Sequence, residues 1–195
     1  MDVINILVGI NLFVTVTANA SGAKKGLKSS ISEVIERPKT YLQKVPLNIA
    51  ALVLILQILG VFQLGTFDIQ ESDPYYTIRI AGLLLFIIFS WLQVWSYKTL
   101  GNNYSQEVVI TKKQKLVTDG PFKVVRHPQY ISQLLSDFGA GLALASFLVL
   151  PIVILIQLPL FILRAQLEEK LLQKRFPGEY QDYKKKTGFI IPFIG

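Results

Sequence analysis

The feature that most limits what this chain can become is the run from Val45 to Leu64. It is apolar over about 20 residues, the length a helix rising about 1.5 Å per residue needs to cross a bilayer. A second run extends from Tyr75 to Tyr97, with Trp91, Trp95 and Tyr97 near one end as an interfacial aromatic belt. An earlier one, Val3 to Ala18, is interrupted by Asn5 and Asn11. The last, Ile131 to Leu163, is longer than one span needs and has Ser146 to Pro151 near its middle. Two shorter spans joined by a tight turn at Pro151 account for it, and both ends of that hairpin return to one side. The expected fold is all-α: a polytopic membrane helix bundle of about five transmembrane helices, the last two a helical hairpin. It is read as a single domain over 1–195, with N-terminal spans in 1–100 and the chemistry-bearing loops and C-terminal helix in 101–195.

The connections give an orientation. Ser21 to Lys44 and Lys98 to Arg126 are basic, whereas Thr66 to Pro74 carries Asp68, Glu71 and Asp73 and no base. By the positive-inside tendency the N-terminus is expected outside, and both basic loops and the C-terminus in the cytoplasm. Ser21 to Lys44 reads as a loop with an interfacial helix over Ser30 to Glu36. Ala18-Asn19-Ala20 resembles a signal-peptidase site, but Asp2 and the lack of Lys or Arg before the apolar run argue that the segment is retained. The net charge of +7 lies in segments flanking the spans, where membrane orientation explains it better than nucleic acid does. With no cysteine and one histidine, a thiolate nucleophile, a disulfide framework and a multi-histidine metal centre are all excluded.

Chemistry concentrates in Leu116 to Ser132, LVTDGPFKVVRHPQYIS. Asp119-Gly120-Pro121 is a turn signal. Pro128 biases His127 away from helical geometry, so a helix is expected to start near Gln129. Arg126, His127 and Tyr130 then sit at a helix mouth whose unpaired N–H groups favour anions. Arg164 and Glu168, four apart, share a helix face. On spacing alone they form an i,i+4 pair worth a few tenths of a kcal/mol. Beside His127 and Tyr130, Arg164 could instead hold a carboxylate in bidentate fashion, and Glu168 could accept ribose hydroxyls or an amine. Gly139-Ala140-Gly141 suits close helix packing, or the approach of a flat ligand to the backbone. Asp137, near the start of a span, is a functional candidate that could also reach interfacial water or pair with Arg126. Pro177-Gly178 ends the helix that follows Arg164; beyond it, Tyr180, Tyr183 and Lys184-Lys185-Lys186 are expected on the membrane surface, against anionic headgroups.

From about Tyr104 onward, several motifs recur in a set order: Leu116-Val117-Thr118 with Gly120, Arg126-His127-Pro128-Gln129-Tyr130, Arg164 with Glu168-Glu169, Phe176, Glu179-Tyr180, Tyr183-Lys184-Lys185 and Pro192-Phe193. In that order they resemble the isoprenylcysteine carboxyl methyltransferase family. Those integral membrane enzymes transfer a methyl group from S-adenosylmethionine to the C-terminal carboxylate of a prenylated cysteine. Gly139-x-Gly141 with Glu168-Glu169 is also similar to membrane phospholipid N-methyltransferases of the same broader superfamily.

The resemblance implies S-adenosyl-L-methionine as cofactor, leaving as S-adenosyl-L-homocysteine, in a pocket of Lys115, Leu116, Val117, Phe122, His127, Pro128, Gln129, Tyr130 and Glu168. It implies His127 and Glu168 beside the reacting groups, Arg164 aimed at the acceptor carboxylate, and a lipidic prenylcysteine substrate taken from membrane lipid, with no metal and no nucleic acid. The active site would face the cytoplasm, at the plasma membrane in a prokaryote or the endoplasmic reticulum in a eukaryote. Such a reaction needs no general base, because a carboxyl with a pKa near about 3.5 is already ionised at neutral pH. The alternatives are a phospholipid amine N-methyltransferase, which does need a base, and a non-catalytic lipid-binding membrane protein.

Overall fold

A computed structural model of the chain describes residues 2–30, 34–192 and 194, with backbone alone for 21–30. Among the described residues, four helical stretches are long and apolar enough to cross a membrane: Val3–Ala20, Tyr41–Val61, Tyr76–Asn103 and Val149–Arg175. They belong to α1 (Val3–Ser30), α2 (Val45–Val61), α3 (Tyr76–Leu100) and a rod made of α5 (Val149–Ile152), a π turn (Val153–Gln157) and α6 (Leu158–Arg175). The fifth apolar helix, α4 (Pro128–Ala143), has 16 residues and is about 24 Å long, short of a full ~30 Å hydrocarbon core. The expected hairpin is present, as α4 and the rod. A last helix, α7 (Pro177–Lys186), follows the break at Phe176.

Two local expectations are corrected. The hairpin turns at 144–148, not at Pro151. Ala145 adopts φ 50°, Ala145 N donates to Leu142 O (3.0 Å) and Ser146 N to Gly141 O (2.8 Å), which closes the end of α4. Pro151 lies in the first turn of α5, where its missing N–H costs nothing because that donor has no intrahelical partner. The segment after the first span is also not simply a loop: α1 continues to Ser30, and Val34–Glu36 is a strand (β1) paired antiparallel with Ile110–Thr111 (β2) rather than an interfacial helix. The two β-branched residues of β1, and Pro38 holding Arg37 extended, favour that outcome. Residues 31–33, the side chains at 24, 25 and 28, and Phe193 lie outside the described residues.

The bundle is apolar outside and holds polar groups within its apolar core. Ile10, Phe13, Ile55, Leu84, Ile88 and Leu155 are exposed on its flanks, while Asn5, Gln57, Arg79, Ser90 and Gln157 are buried. With no water in hydrocarbon, such groups must bond one another across helices. Asn11 does so on α3, donating to Ser90 Oγ at 2.9 Å and accepting from Trp91 Nε1 at 3.1 Å. Close approach of α3 and α4 decides the role of Gly139: a Cβ there would lie 2.6 Å from Phe86 N and 2.8 Å from Gly82 O. Gly139-Ala140-Gly141 is a packing device.

At the end of the bundle remote from His127, α1 is tied down by Arg79 of α3. Its Nε donates to Ala143 O (2.8 Å), Nη1 to Asp2 Oδ2 (2.5 Å) and Ile69 O (2.8 Å), and Nη2 to Asn5 Oδ1 (2.7 Å). Arg79→Leu leaves these acceptors unpaired, at a cost on the order of 3 kcal/mol. Thermal unfolding in detergent should show a clear drop in Tm, recovered in part by Arg79→Lys.

Candidate functional site

At the opposite end, α2, α3, α4 and the rod splay apart, and the 101–127 segment with α7 closes over them. The pocket between them holds about 1090 Å³ of empty space, its mouth included. Only about 100 Å³ of that admits the centre of a water molecule, so the pocket is narrow. Its walls include Lys115, Leu116, Val117, Phe122, His127, Gln129, Tyr130, Arg164 and Glu168. The structure thus brings together every residue expected at the site but Pro128, which lies behind the wall as the first residue of α4, fully buried.

His127 is the N-cap of α4, as its position before Pro128 requires. The chain here is pinned by the C-terminal segment: Arg126 N donates to Gly188 O (2.8 Å) and His127 N to Phe189 O (3.2 Å). The imidazole stacks on Tyr130, with centroids 5.7 Å apart, and meets Phe189 edge-on at 5.1 Å. Its Nε2 is buried without a hydrogen-bond partner, 3.6 Å from Glu169 Oε1, and Nδ1 lies 3.8 Å from Glu168 Oε2.

The adjacent glutamates part company, as residues about 100° apart on a helix must. Glu168 turns to the pocket and accepts from Tyr130 Oη at 3.1 Å. Glu169 turns inward, to Arg126 Nε at 2.5 Å and Lys184 Nζ at 2.9 Å. Arg126 also donates to the carbonyls of Thr187 and Lys184, so it holds the tail against the helix mouth. Asp137 does not pair with Arg126: it accepts from Gln57 Nε2 (2.9 Å) and Gln157 Nε2 (2.7 Å).

Arg164 is engaged differently from either reading of its spacing. Nη1 donates to Leu42 O (2.9 Å) and Gln43 O (3.2 Å), Nη2 to Gln106 O, and Nε to Tyr130 Oη (3.1 Å). Ion pairs among the described residues do not include Arg164 with Glu168; Tyr130 joins them. With four hydrogen bonds made and five N–H groups to give, the guanidinium offers a ligand its charge and at most one donor, not a bidentate fork. Gln43 adds a second tie to the same roof, donating to Val108 O (2.8 Å) and accepting from Val108 N (2.9 Å).

Several wall residues were not legible as site residues. Tyr97, read as part of the interfacial belt, meets Tyr104 edge-on at 4.6 Å and both line the pocket. Tyr180 and Tyr183, expected on the membrane surface, are buried there too, Tyr183 Oη donating to Phe122 O at 2.7 Å. Burial pushes the phenols of Tyr104, Tyr180 and Tyr183 well above the usual tyrosine range, so they stay neutral donors. A faint signal existed in the i,i+3 spacing of Tyr180 and Tyr183, which puts both on one helix face.

Membrane-length helices with a narrow, partly polar pocket at one end define an integral membrane protein with a candidate ligand site there. Residues 77–179, more than half of the chain, match the phospholipid methyltransferase family, and the chain belongs to it. Among its relatives, the protein-S-isoprenylcysteine O-methyltransferase of Saccharomyces cerevisiae is 36% identical over 118 residues, which are 59% of this chain and 49% of the yeast protein. A probable protein-S-isoprenylcysteine O-methyltransferase of Oryza sativa subsp. indica is 28% identical over 126 residues, 64% of this chain and 66% of that one. A solved structure of the eukaryotic intramembrane Ras methyltransferase, an isoprenylcysteine carboxyl methyltransferase, superposes with a TM-score of 0.58 at 25% identity. That match covers 77% of this chain and 54% of the other. The resemblance read from the sequence is borne out, though the chain spans only about half to two thirds of these relatives' length.

If Arg164 carries the roof of the pocket, Arg164→Lys should loosen it, since an ammonium cannot reach four acceptors spread over three segments. Trypsin should then cleave after Lys112 or Lys113 about tenfold faster than in the unsubstituted protein, because local opening precedes cleavage. Unchanged cleavage would mean the roof is held elsewhere.

Proposed function

We propose that this protein is a methyltransferase that esterifies the C-terminal carboxylate of a prenylated cysteine, or a similar lipidic carboxylate, using S-adenosylmethionine. One observation carries the reading: the pocket is lined both by polar His127, Gln129, Tyr130 and Glu168 and by apolar Pro46, Leu47, Ala50 and Phe161 drawn from the spans. Such a site can hold a polar cofactor and a lipid at once. The fit is supported by the partly exposed carboxylate of Glu168, which turns into the pocket.

Bound S-adenosylmethionine supplies an electrophilic methyl group on a sulfonium. Glu168 would accept hydrogen bonds from its ribose hydroxyls, and His127, Tyr130, Lys115, Leu116, Val117 and Phe122, which line the same pocket, would hold the rest of it. The positive charge of Arg164 draws the acceptor carboxylate in. No residue has to remove a proton, so the chain's task is alignment, which can supply several kcal/mol of the barrier. Apolar walls favour a step in which opposite charges combine. By the positive-inside tendency of the basic segments this end would face the cytoplasm and the N-terminus the outside, with 101–195 as the cofactor side of one membrane domain.

A phospholipid amine acceptor is the second reading, favoured by the family match; His127, on the pocket wall, is the base such an acceptor would need.

The deciding assay gives the purified protein, in lipid, methyl-labelled S-adenosylmethionine and a farnesylated cysteine analogue. Label released by mild alkali is the expected result, a methyl ester; alkali-stable label in lipid would move the reaction to an amine. Two substitutions divide the site. Glu168→Gln should weaken S-adenosylhomocysteine binding about ten- to a hundredfold, the worth of hydrogen bonds to a charged group. Ala50→Phe should raise the acceptor KM about tenfold with cofactor binding intact.

A further inference from the structure

Half-buried Asp137 and the buried Gln57 and Gln157 form a polar knot among the spans, and none of the three lines the pocket. Asp137 Oδ1 accepts from Gln57 of α2 and Oδ2 from Gln157 of the rod, so one carboxylate binds three helical elements. Both glutamines are essentially without exposed surface. Each element then continues to the pocket: α4 through Gln133, one turn from Asp137; the rod through Phe161 and Arg164, one and two turns beyond Gln157; and α2 through Pro46, Leu47 and Ala50.

The π turn lets the rod serve both places. Pro159 has no N–H to donate to Leu155, and the helix widens just before it, Leu158 N donating to Val153 O across five residues. Four residues of α-helix overshoot a full turn by about 40°, and a π turn takes that overshoot back. Val149, Val153, Gln157, Phe161 and Arg164 are accordingly all buried on one side of the rod. Gln157 can face Asp137 while Arg164 faces the pocket.

We infer that Asp137 is a positioning residue: through Gln57 and Gln157 it sets the register of α2 against α4 and the rod, and so the place of the apolar acceptor wall relative to the cofactor wall. The inference rests on the methyltransferase reading for its kinetic consequence, but not for its geometric one. α2 meets the bundle largely at the π turn and the rod, whereas no residue given to the cofactor lies on α2. α4 and the rod stay tied near the pocket by Tyr130, bonded to both Glu168 and Arg164, so loss of the knot should harm acceptor use and spare cofactor binding.

Asp137→Leu and the near-isosteric Gln57→Met test this in the full chain. Both should lower kcat/KM for the lipid acceptor about tenfold or more, the effect of a misplacement near 1 Å, with S-adenosylhomocysteine affinity within about threefold of normal. Asp137→Asn should restore turnover, because Gln157 can turn its amide and accept through Oε1, which has no partner now. A second readout needs no chemistry. The chain has no cysteine, so spin labels at Leu52→Cys on α2 and Leu163→Cys on the rod, both exposed on the flanks, report their separation directly. That distance should shift or broaden in Asp137→Leu and Gln57→Met and hold in Asp137→Asn. Equal losses of acceptor use and cofactor binding, or an unchanged distance in both disruptive variants, would overturn the inference. If the unsubstituted protein transfers no methyl group, the methyltransferase reading fails and the distances still decide the role of Asp137.

Discussion

In hydrocarbon a polar side chain has no water to fall back on, and it binds whatever partner another helix presents. This bundle is organised by that scarcity. Apolar contacts between spans are close to neutral in lipid, because tails solvate leucine as well as leucine does. Selection among helix arrangements therefore falls to the few groups that cannot be left alone: Asn5 and Asn11 on α1, Arg79 on α3, Asp137 on α4, Gln57 on α2 and Gln157 in the rod. Glycine at positions 82 and 139 lets α3 and α4 approach until their backbones touch.

The same rule explains why the pocket lies where it does. Irregular backbone is tolerated near membrane depth only where something satisfies its carbonyls. The roof over the pocket is such a backbone, and Arg164 answers it with bonds to Leu42, Gln43 and Gln106, while Gln43 pairs with both backbone groups of Val108. A cation at the boundary that looks free in the sequence is thus largely committed to holding the chain together. What it still offers a ligand is charge in a confined, poorly hydrated place, where charge acts more strongly than at a surface.

Much of this was legible. Apolar run length gave the spans, and the proline after His127 gave the start of α4 within one residue, because both signals act locally through backbone and helix geometry. Nearly all the expected cofactor residues converge on one pocket, since the motif that names them is itself mostly a contiguous wall. What was not legible depends on distant partners. Arg164 finds its carbonyls 58 to 122 residues away, and no spacing rule reaches that far. Tyr180 and Tyr183 sit among lysines, and a surface reading of that composition was reasonable; burial came from α7 folding back on the 116–127 segment. Pro151 carried a true signal of a helix beginning and was mistaken for the turn itself, because proline is equally at home in both.

The split between Glu168 and Glu169 shows how two like charges side by side can serve opposite ends. Glu169 is offset by Arg126 and Lys184 and becomes part of the framework that presses the C-terminal segment onto His127. Glu168 accepts through one oxygen from a tyrosine hydroxyl, itself tethered to Arg164, with His127 Nδ1 3.8 Å from the same oxygen, and turns to the pocket. Were the two exchanged by a one-residue slip of the rod, the buried Arg126 would lose its counter-ion and the pocket its acceptor together. The phase of the rod is therefore constrained at both ends, by the ion pair near its C-terminus and by the π turn near its N-terminus. Between those two fixed points the pocket-facing side chains have no freedom to rotate away, and a narrow site can be kept in shape by a bundle whose outer surface is in contact only with fluid lipid.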